Sequence, residues 1–359
     1  MSKNGSAIGA IFISAGSKKW HLNVDNNSLS RSPSVFRTEA WVQAWIDIWG
    51  SNPNIELIDL GGRKNPLEHV YVEKTFVKKI LPVTRLHLAG VGCSSVSTPR
   101  SEYNDIQALA SLYGATDSLG KNLAYINWQE FLLQDYIDDS YNKSLTEELA
   151  KNLGASVYVR KTEPAYHVCA ENFDHYLASL GGSTRLKYFN RRERLMSHGE
   201  IEQRQYSLHE CVAFFRLLNE FHIRRWGKPC YSQDSQDFMR NFQERLLLLG
   251  GQPIMEALLV NGEVVSVIFD IVWLGKRYNF QSGFAENRYP KIALGALHLG
   301  YSIESAVKNN QVYDFMAGCG KNANYKANIA NSFTQIKTIS LQRSYMKTAR
   351  NLYELFSNQ

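Results

Sequence analysis

The sequence predicts an α/β (α+β) protein of two tandem domains, each a mixed, twisted sheet flanked by helices. Three observations predict this class. The chain of 359 residues exceeds what one hydrophobic core usually supports. Strand-like apolar runs alternate with amphipathic segments of helical period, and the order of these elements is loosely alike in the two halves. A hydrophobic share of 44%, with 12% aromatic residues, supplies apolar surface for both cores.

Composition limits the class of ligand and the compartment. The net charge of +6 and the pI near 8.9 suit an anionic ligand, and this balance alone does not indicate nucleic acid. Five cysteines are scattered without CxxC spacing, which favours reduced thiols over a zinc site or a disulfide frame, so no metal is expected. The apolar stretch 7–15 is too short for a membrane span and lacks a signal-peptide cleavage site. We therefore expect a cytoplasmic protein.

The first half is predicted as a polar extension at residues 1–33 and a domain at 34–170. Trp41, Trp45 and Trp49 recur at helical spacing, so a helix runs from Ser34 to Trp49 and stops at Gly50. Apolar runs between Gly and Pro turns are typical of strands. The remaining predicted elements are strands at 8–13, 55–60, 67–76, 77–83, 86–91, 123–127 and 154–159, and helices at 106–113 and 128–133.

The second domain is predicted at residues 171–343, followed by a helix at 344–359. Its first helix spans 172–180 and ends at a pair of glycines, and Ser183 is a natural N-cap for the next one. Asn261-Gly262 is the signal of a type I′ hairpin turn. The other predicted elements are strands at 201–206, 255–260, 264–273, 277–284, 312–316 and 334–341, and helices at 208–226, 236–249 and 290–308.

Several sequence stretches resemble one known family. They are Tyr176–Leu180, Arg191–Leu195, Glu220–Trp226, Tyr278–Phe284 and Asp314–Gly318 with Tyr325-Lys326, and in the first domain Ser34–Trp45 and Ser101–Asp105. Over roughly residues 34–341 the chain resembles the double-domain GNAT acetyltransferases grouped with cellulose-biosynthesis proteins, which are related to FemX-type transferases. The resemblance implies two tandem GNAT-like domains, with acyl-coenzyme A as co-substrate of the second.

The resemblance also implies where acyl-coenzyme A is held. GNAT enzymes grip the pyrophosphate with Gln/Arg-x-x-Gly-x-Gly/Ala at a helix start, and the matching place here runs from Arg288 through Lys291 to Ala293, with Lys291 in place of a glycine. Pro290 is suited to the first turn of that helix, whose positive end attracts phosphate. Phe280, Gln281 and Ser282 match the strand that lends backbone amides to the pantetheine arm. The alternative is an ordinary helix with surface charges.

Three residues are candidates for the chemistry. Tyr325 matches the tyrosine that protonates the departing thiolate in many GNAT enzymes; the alternative is a surface tyrosine. Asp270 interrupts an apolar strand, where a carboxylate is costly unless it is paired or lines a cleft, so it is either a general base or half of an ion pair. Asp314 is a second candidate base.

Another set of residues is predicted to bind the acceptor. Arg191, Arg192 and Arg194 lie together and suit a diphosphate, although a solvated helix face explains them equally simply. Tyr103 is predicted to face the same cleft. Trp226 and Lys326 complete the set, and Trp226 shares a helix face with His222, for which packing is the alternative.

The leading functional hypothesis is acyl transfer from coenzyme A to a primary amine, on a nucleotide-linked amino sugar for surface polysaccharide. The sugar comes from the pathways that the family serves and from the arginine cluster. Two alternatives stay open. One is FemX-like aminoacyl transfer in cell-wall synthesis, against which the lack of a heptad run counts. The other is a non-catalytic GNAT-fold subunit of a polysaccharide assembly, because a glycine of the pyrophosphate motif is replaced.

Overall fold

The computed structural model of the protein describes residues 33–62, 65–77, 81–112, 116–318, 323–346 and 348. The predicted strand at 8–13 and the extension up to residue 32 lie outside these residues. So does most of the predicted C-terminal helix at 344–359.

One mixed sheet of eleven strands runs through the described part of the chain, in the order β1-β2-β3-β4-β11-β5-β10-β9-β8-β7-β6. Two neighbouring pairs are parallel, β3 with β4 and β9 with β10, and the other pairs are antiparallel. The strands are β1 Ile55–Asp59, β2 His69–Val77, β3 Leu81–Leu88, β4 Glu130–Ile137, β5 Ser156–Val168, β6 Ile201–Tyr206, β7 Gln252–Val260, β8 Glu263–Trp273, β9 Lys276–Phe284, β10 Val312–Ala317 and β11 Ser332–Gln342.

The two halves share strands at the centre of this sheet. The last strand of the first half, β5, pairs with β10 of the second half. The last strand of the second half, β11, pairs with β4 of the first half. Strands β5 and β11 also pair with each other along most of their length. The tandem GNAT-like units therefore form one continuous hydrogen-bonded sheet.

The two halves repeat one irregularity, a β-bulge in the second strand of each parallel pair. The register of β4 against β11 shifts between Lys337 and Ile339, and that of β10 against β5 shifts between Asp314 and Ala317. Each bulge holds a non-glycine residue in the left-handed region, Asp135 at φ 47° and Met316 at φ 59°. Bulges of this kind bend a strand away from its neighbour, and backbone strain of this kind concentrates at functional sites.

Helices cover both faces of the sheet. The helices are α1 Glu39–Trp49, α2 Gln107–Leu112, α3 Thr116–Tyr125, α4 Ser140–Asn152, α5 Phe173–Ser179, α6 Gly182–Arg185, α7 Arg192–Met196, α8 Cys211–Trp226, α9 Gln233–Leu248, α10 Leu294–Lys308 and α11 Ala323–Ile329. Helices α1, α8 and α9 pack in one apolar core, where the Trp41 ring contacts the rings of Phe238 and Phe242. Helices α5, α10 and α11 pack in a second core with β10.

Most predicted elements are confirmed within a few residues, including the hairpin turn at Asn261-Gly262, where φ is 51° and 77°. Two predictions near residue 125 are wrong. The predicted strand at 123–127 overlaps the end of helix α3, which buries Leu119 and Leu123 one turn apart. The predicted helix at 128–133 belongs to strand β4, which is central in the sheet. A strand that is buried on both faces does not alternate between apolar and polar residues. Its continuous apolar run is therefore compatible with a buried helix as well as with a strand.

The predicted helix starting at Ser183 is broken into pieces. Helix α6 ends at Arg185, a π-helical turn covers Leu186–Asn190, and α7 begins at Arg192. The chain packs closely against α10 at this break. A Cβ atom added at Gly300 of α10 would lie only 2.0 Å from the Tyr188 carbonyl oxygen. The π-helical turn thus lies directly against the backbone of α10.

Candidate active site

A pocket opens where the parallel strands β9 and β10 separate. They pair at three positions, the last being Tyr278 with Asp314, and then diverge. The space between them has a volume of about 400 Å³. Its lining comes from both halves: Thr98, Pro99, Arg100 and Glu102 of the first, and Cys230, Tyr231, Asn279, Phe280, Gln281, Ser282, Phe315, Met316, Ala317, Tyr325 and Lys326 of the second.

The β9 wall contains the three residues predicted to hold the pantetheine arm. Phe269 pairs with Gln281 and Asp270 with Asn279, so Phe280 is the extra residue of a bulge. The Phe280 ring packs in the core, stacked on Phe36. The Ser282 N–H donates to the side-chain oxygen of Gln281 at 3.1 Å, and its carbonyl oxygen lies 3.1 Å from His222 Nε2. Gln281 and Ser282 stay paired with β8 and line the pocket from the opposite edge of β9.

The β10 wall is held by Lys326, which the sequence analysis assigned to the acceptor. Its ammonium donates to the carbonyl oxygens of Phe315, Met316 and Ala317 at 2.8, 2.9 and 3.1 Å. These carbonyls lie where β9 has separated from β10. Burial lowers the pKa of Lys326. Lys326 thus replaces the hydrogen bonds that a paired strand would supply.

Glu102 is a pocket residue that the sequence analysis missed. It lies in the polar loop before α2, is 1% exposed, and accepts a 2.7 Å hydrogen bond from the Ala317 N–H. Burial raises the pKa of Glu102 to about 7, against the lowering effect of the Arg100 guanidinium, whose nitrogen lies 3.3 Å away. The stretch Ser101–Asp105 was recognised as polar between apolar strands, but its pattern does not indicate which side chain turns inward.

Tyr325 lies in α11 and lines the pocket beside Lys326. Burial raises the pKa of its hydroxyl, and the positive charge of Arg225 acts in the opposite direction. A tyrosine with a raised pKa stays protonated at neutral pH. It can therefore donate a proton to an anion formed in the pocket.

The two candidate aspartates are engaged by neighbouring side chains. Asp270 is fully buried and accepts hydrogen bonds from Arg277 at 2.6 Å and Asn279 at 2.8 Å, so the structure shows an ion pair. Burial raises the pKa of Asp270, and Arg277 opposes that shift. Asp314 accepts from the Tyr103 hydroxyl at 2.7 Å. Neither aspartate is among the described residues that line the pocket.

The predicted pyrophosphate segment precedes α10 as a loop. The helix begins at Leu294, so the prediction that Pro290 lies in its first turn is wrong. Lys291 has φ 63°, the left-handed conformation that glycine adopts most readily. Ala293 is the N-cap and offers no side-chain hydrogen bond. The first N–H groups of α10 are therefore open to an anion.

The predicted acceptor residues are not brought together. Arg192 lies against α10, with its guanidinium 3.9 Å from the Tyr301 ring and in an ion pair with Glu304. Arg194 is exposed on α7. Tyr103 is buried against Asp314 under the pocket. Arg288, from the coenzyme set, forms an ion pair with Glu263 at 2.5 Å.

A second cavity of about 570 Å³ adjoins the first and shares Thr98, Pro99, Cys230, Tyr231 and Gln281 with it. Trp226, at the end of α8, is 57% exposed and lines it with His222 and Lys228. Burial lowers the pKa of His222, so this ring is neutral at pH 7. No carboxylate is among the described residues of this lining. The cavity therefore favours a neutral or anionic group.

A third cavity, of about 320 Å³, lies in the first half where β3 and β4 separate. Its lining includes Glu73 and His87, whose side chains lie 3.4 Å apart, and Arg100, which also lines the pocket of the second half. It is the counterpart of the β9–β10 pocket under the repeat of the two halves.

Comparisons with known proteins concern the fold and the second half of the chain. Residues 182–327 match the family of acetyltransferase (GNAT) domains. A conserved protein of unknown function from Bacteroides thetaiotaomicron has a similar structure, with a TM-score of 0.51, 11% identity, and coverage of 88% of this chain and 93% of that one. FemX also gives a TM-score of 0.51 at 11% identity, covering 90% of this chain and 98% of FemX. The comparison with curated proteins gives no match.

The part of the chain that matches the acetyltransferase (GNAT) domain lies in the second half and includes both strands of the β9–β10 pocket. The described residues contain no group of His, Cys, Asp and Glu side chains able to hold a metal ion. No helix among them is long and apolar enough to span a bilayer.

Proposed function

We propose that this protein transfers an acyl group from coenzyme A to a primary amine, with the thioester in the pocket between β9 and β10. The observation that carries the proposal is the separation of these strands beside Tyr325, within the matched GNAT domain. Acyl transfer needs a polarised carbonyl, an uncharged amine and a proton for the thiolate. The pocket supplies a space between two separated strands and a protonated hydroxyl at its side.

The loop before α10 is the proposed site of the coenzyme pyrophosphate. The N–H groups of the first turn, at Leu294 and Gly295, and the positive end of the helix favour an anion. Lys291 adds a positive charge beside them. Gly295 also allows close packing, since a Cβ atom there would lie 2.3 Å from the Phe284 ring. Phe280, Gln281 and Ser282 line the pocket with Tyr325 and lie on the same strand as Phe284, which packs against this helix end.

Tyr325 is the proposed acid. When the C–S bond breaks, the electron pair leaves on sulfur, and the phenol hydroxyl supplies its proton. Burial, which keeps Tyr325 protonated, suits it to this step. A positioned general acid typically contributes about 10²–10⁴-fold.

The second cavity is the proposed acceptor site. Its exposed Trp226 ring offers a face for a sugar, and Lys228 suits a phosphate, while the described lining holds no carboxylate to attract a polyamine. These features support an amino sugar carried on a nucleotide, of the kind used for surface polysaccharide. The acceptor amine would reach the thioester through the boundary that the two cavities share at Gln281 and Thr98.

Thiol release from acetyl-coenzyme A tests this function directly. We expect release that depends on an amine, with a lower KM for nucleotide-linked amino sugars than for free glucosamine or spermidine. Trp226→Ala should raise the acceptor KM, whereas Ile223→Ala, an exposed neighbour on α8 outside the described lining, should not. Thiol release with no amine in the panel would contradict the function, and a preference for spermidine would contradict the acceptor class.

A further inference from the structure

The loop before α2 carries a carboxylate of the first half into the pocket of the second. Glu102 lines the β9–β10 pocket together with Tyr325 and Lys326, and its second oxygen is fixed by the Ala317 N–H at 2.7 Å. Among the described lining residues it is the one carboxylate. The side chain is thus placed within the space where the thioester and the amine must meet.

The other buried carboxylates near this pocket are already saturated. Asp270 holds Arg277 and Asn279. Asp314 accepts from the Tyr103 hydroxyl through one oxygen and from the Met316 N–H, at 2.7 Å, through the other. A carboxylate that receives a proton from a substrate must border the space that the substrate occupies. Glu102 lines the pocket, with Oε1 at 3.3 Å from the Arg100 guanidinium, and the two aspartates are not among its described lining residues.

We propose that Glu102 is the general base that takes the proton from the acceptor amine; this assignment rests on the proposed acyl transfer. The uncharged amine attacks the thioester carbonyl, and an N–C bond forms. The nitrogen then carries a positive charge and passes one proton to the Glu102 carboxylate. The C–S bond breaks, sulfur takes the electron pair, and Tyr325 protonates the thiolate. Glu102 returns its proton to solvent and Tyr325 regains one, so amide and free thiol are the net products.

The charges around Glu102 suit this role. Burial raises its pKa to about 7. A large fraction of the side chain is therefore ionised near neutral pH and can accept a proton, and the protonated form can release that proton to solvent afterwards. Lys326 lies on the facing helix, and burial lowers the pKa of its ammonium. The charged groups that face Glu102 are Arg100 on its own loop, Asp135 on β4, Asp314 on β10 and Lys326 on α11.

A base must be ionised to act, so the rate of the wild-type enzyme should rise with pH through about 7. The ammonium of the acceptor also titrates and produces a rise of its own. We therefore measure the pH profile with two acceptors whose amine pKa values differ. A rise in rate that occurs at the same pH with both acceptors reports the titration of a group on the enzyme, not of the acceptor amine.

The decisive variant is Glu102→Gln, which keeps an oxygen for the Ala317 N–H. We expect kcat to fall about 10²-fold or more, and the enzyme's own rise in the pH profile to disappear. Glu102→Asp keeps a carboxylate and should retain that rise at a reduced rate. Asp135→Asn is the matched control: it also removes an Arg100 partner, at 2.7 Å, but Asp135 is outside the described lining of this pocket. The rise should remain and move to lower pH, because the Asp135 charge raises the pKa of Glu102.

Each outcome decides between the assignments. A Glu102→Gln enzyme with the wild-type rate and pH profile would overturn the base while leaving acyl transfer intact. A Glu102→Asp enzyme that has lost the rise would overturn the base as well, and it serves where the glutamine variant does not fold. A wild-type chain that releases no thiol with any amine would overturn the proposed function, and the base with it.

Discussion

The hydroxyl of Tyr103 donates a 2.7 Å hydrogen bond to the carboxylate of Asp314, joining the first half of the chain to β10 of the second half. Both side chains are buried, and the Lys276 ammonium lies 3.3 Å from the same carboxylate oxygen. Tyr103 adopts a positive φ of 54°, which a bulky residue rarely does. The bond thus fixes the loop that carries Glu102 onto the strand that forms the pocket wall.

Tyr103→Phe tests this role. The change removes the donor and leaves a buried carboxylate with one partner fewer, so we expect the free energy of unfolding to fall by about 1–3 kcal/mol. Chemical denaturation of both proteins measures the difference. Tyr125→Phe, at a site that is 91% exposed, is the control and should leave stability unchanged. An unchanged midpoint for Tyr103→Phe would show that the bond does not hold the halves together.

Tyr325→Phe tests the proposed acid. The hydroxyl acts on the thiolate only as it departs, so its loss should lower kcat by about 10²–10⁴-fold with little change in the binding constant of acetyl-coenzyme A. Steady-state kinetics and calorimetric titration give the two quantities. A fully active variant would show that Tyr325 is not the acid and only packs in the core with Tyr188 and Phe189.

Lys291 separates the effect of backbone strain from that of charge. Its φ of 63° costs a non-glycine residue about 1 kcal/mol, so Lys291→Gly should raise the free energy of unfolding by about that amount or less. Lys291→Ala removes the same ammonium but keeps the strain, and should not be stabilising. Both variants should weaken coenzyme A binding equally. A stability gain with alanine equal to that with glycine would show that the lysine charge, and not the backbone, is unfavourable there.

Arg192 distinguishes packing from acceptor binding. Its guanidinium stacks on Tyr301 and pairs with Glu304, so Arg192→Ala should lower the free energy of unfolding by about 1–2 kcal/mol and leave the acceptor KM unchanged. Arg194→Ala, at an exposed site on the same helix, is the control for a solvated face. A raised acceptor KM in either variant, without loss of stability, would support the diphosphate site that the sequence pattern suggests.

Much of the second half could be predicted from the sequence because its signals are local. The turn at Asn261-Gly262 determines the β7–β8 hairpin, and the order of elements places Phe280, Gln281, Ser282, Tyr325 and Lys326 near one another, as the pocket shows. Phe280, Gln281 and Ser282 lie on a predicted strand, whereas the helix that carries Tyr325 and Lys326 was predicted as a loop after the strand at 312–316. Their meeting point follows from the topology of a single unit.

What the sequence could not predict depends on contacts between distant segments. The insertion of β11 between β4 and β5 follows from pairing across about 200 residues, which no local pattern encodes. The same holds for Glu102, whose partner Ala317 is in the other half. Arg192 was grouped with its neighbours in sequence, but a π-helical turn redirects the chain before it, and Tyr301 lies on another helix.

The structure of the full chain with bound acetyl-coenzyme A tests the central claim most directly. We predict that the thioester lies between β9 and β10, within reach of Tyr325, and that the pyrophosphate lies on the loop Arg288–Ala293 at the start of α10. The first half should hold no coenzyme. A complex with coenzyme A in the β3–β4 cavity, or elsewhere on residues 34–150, would contradict the assignment of the acyl site to the second half.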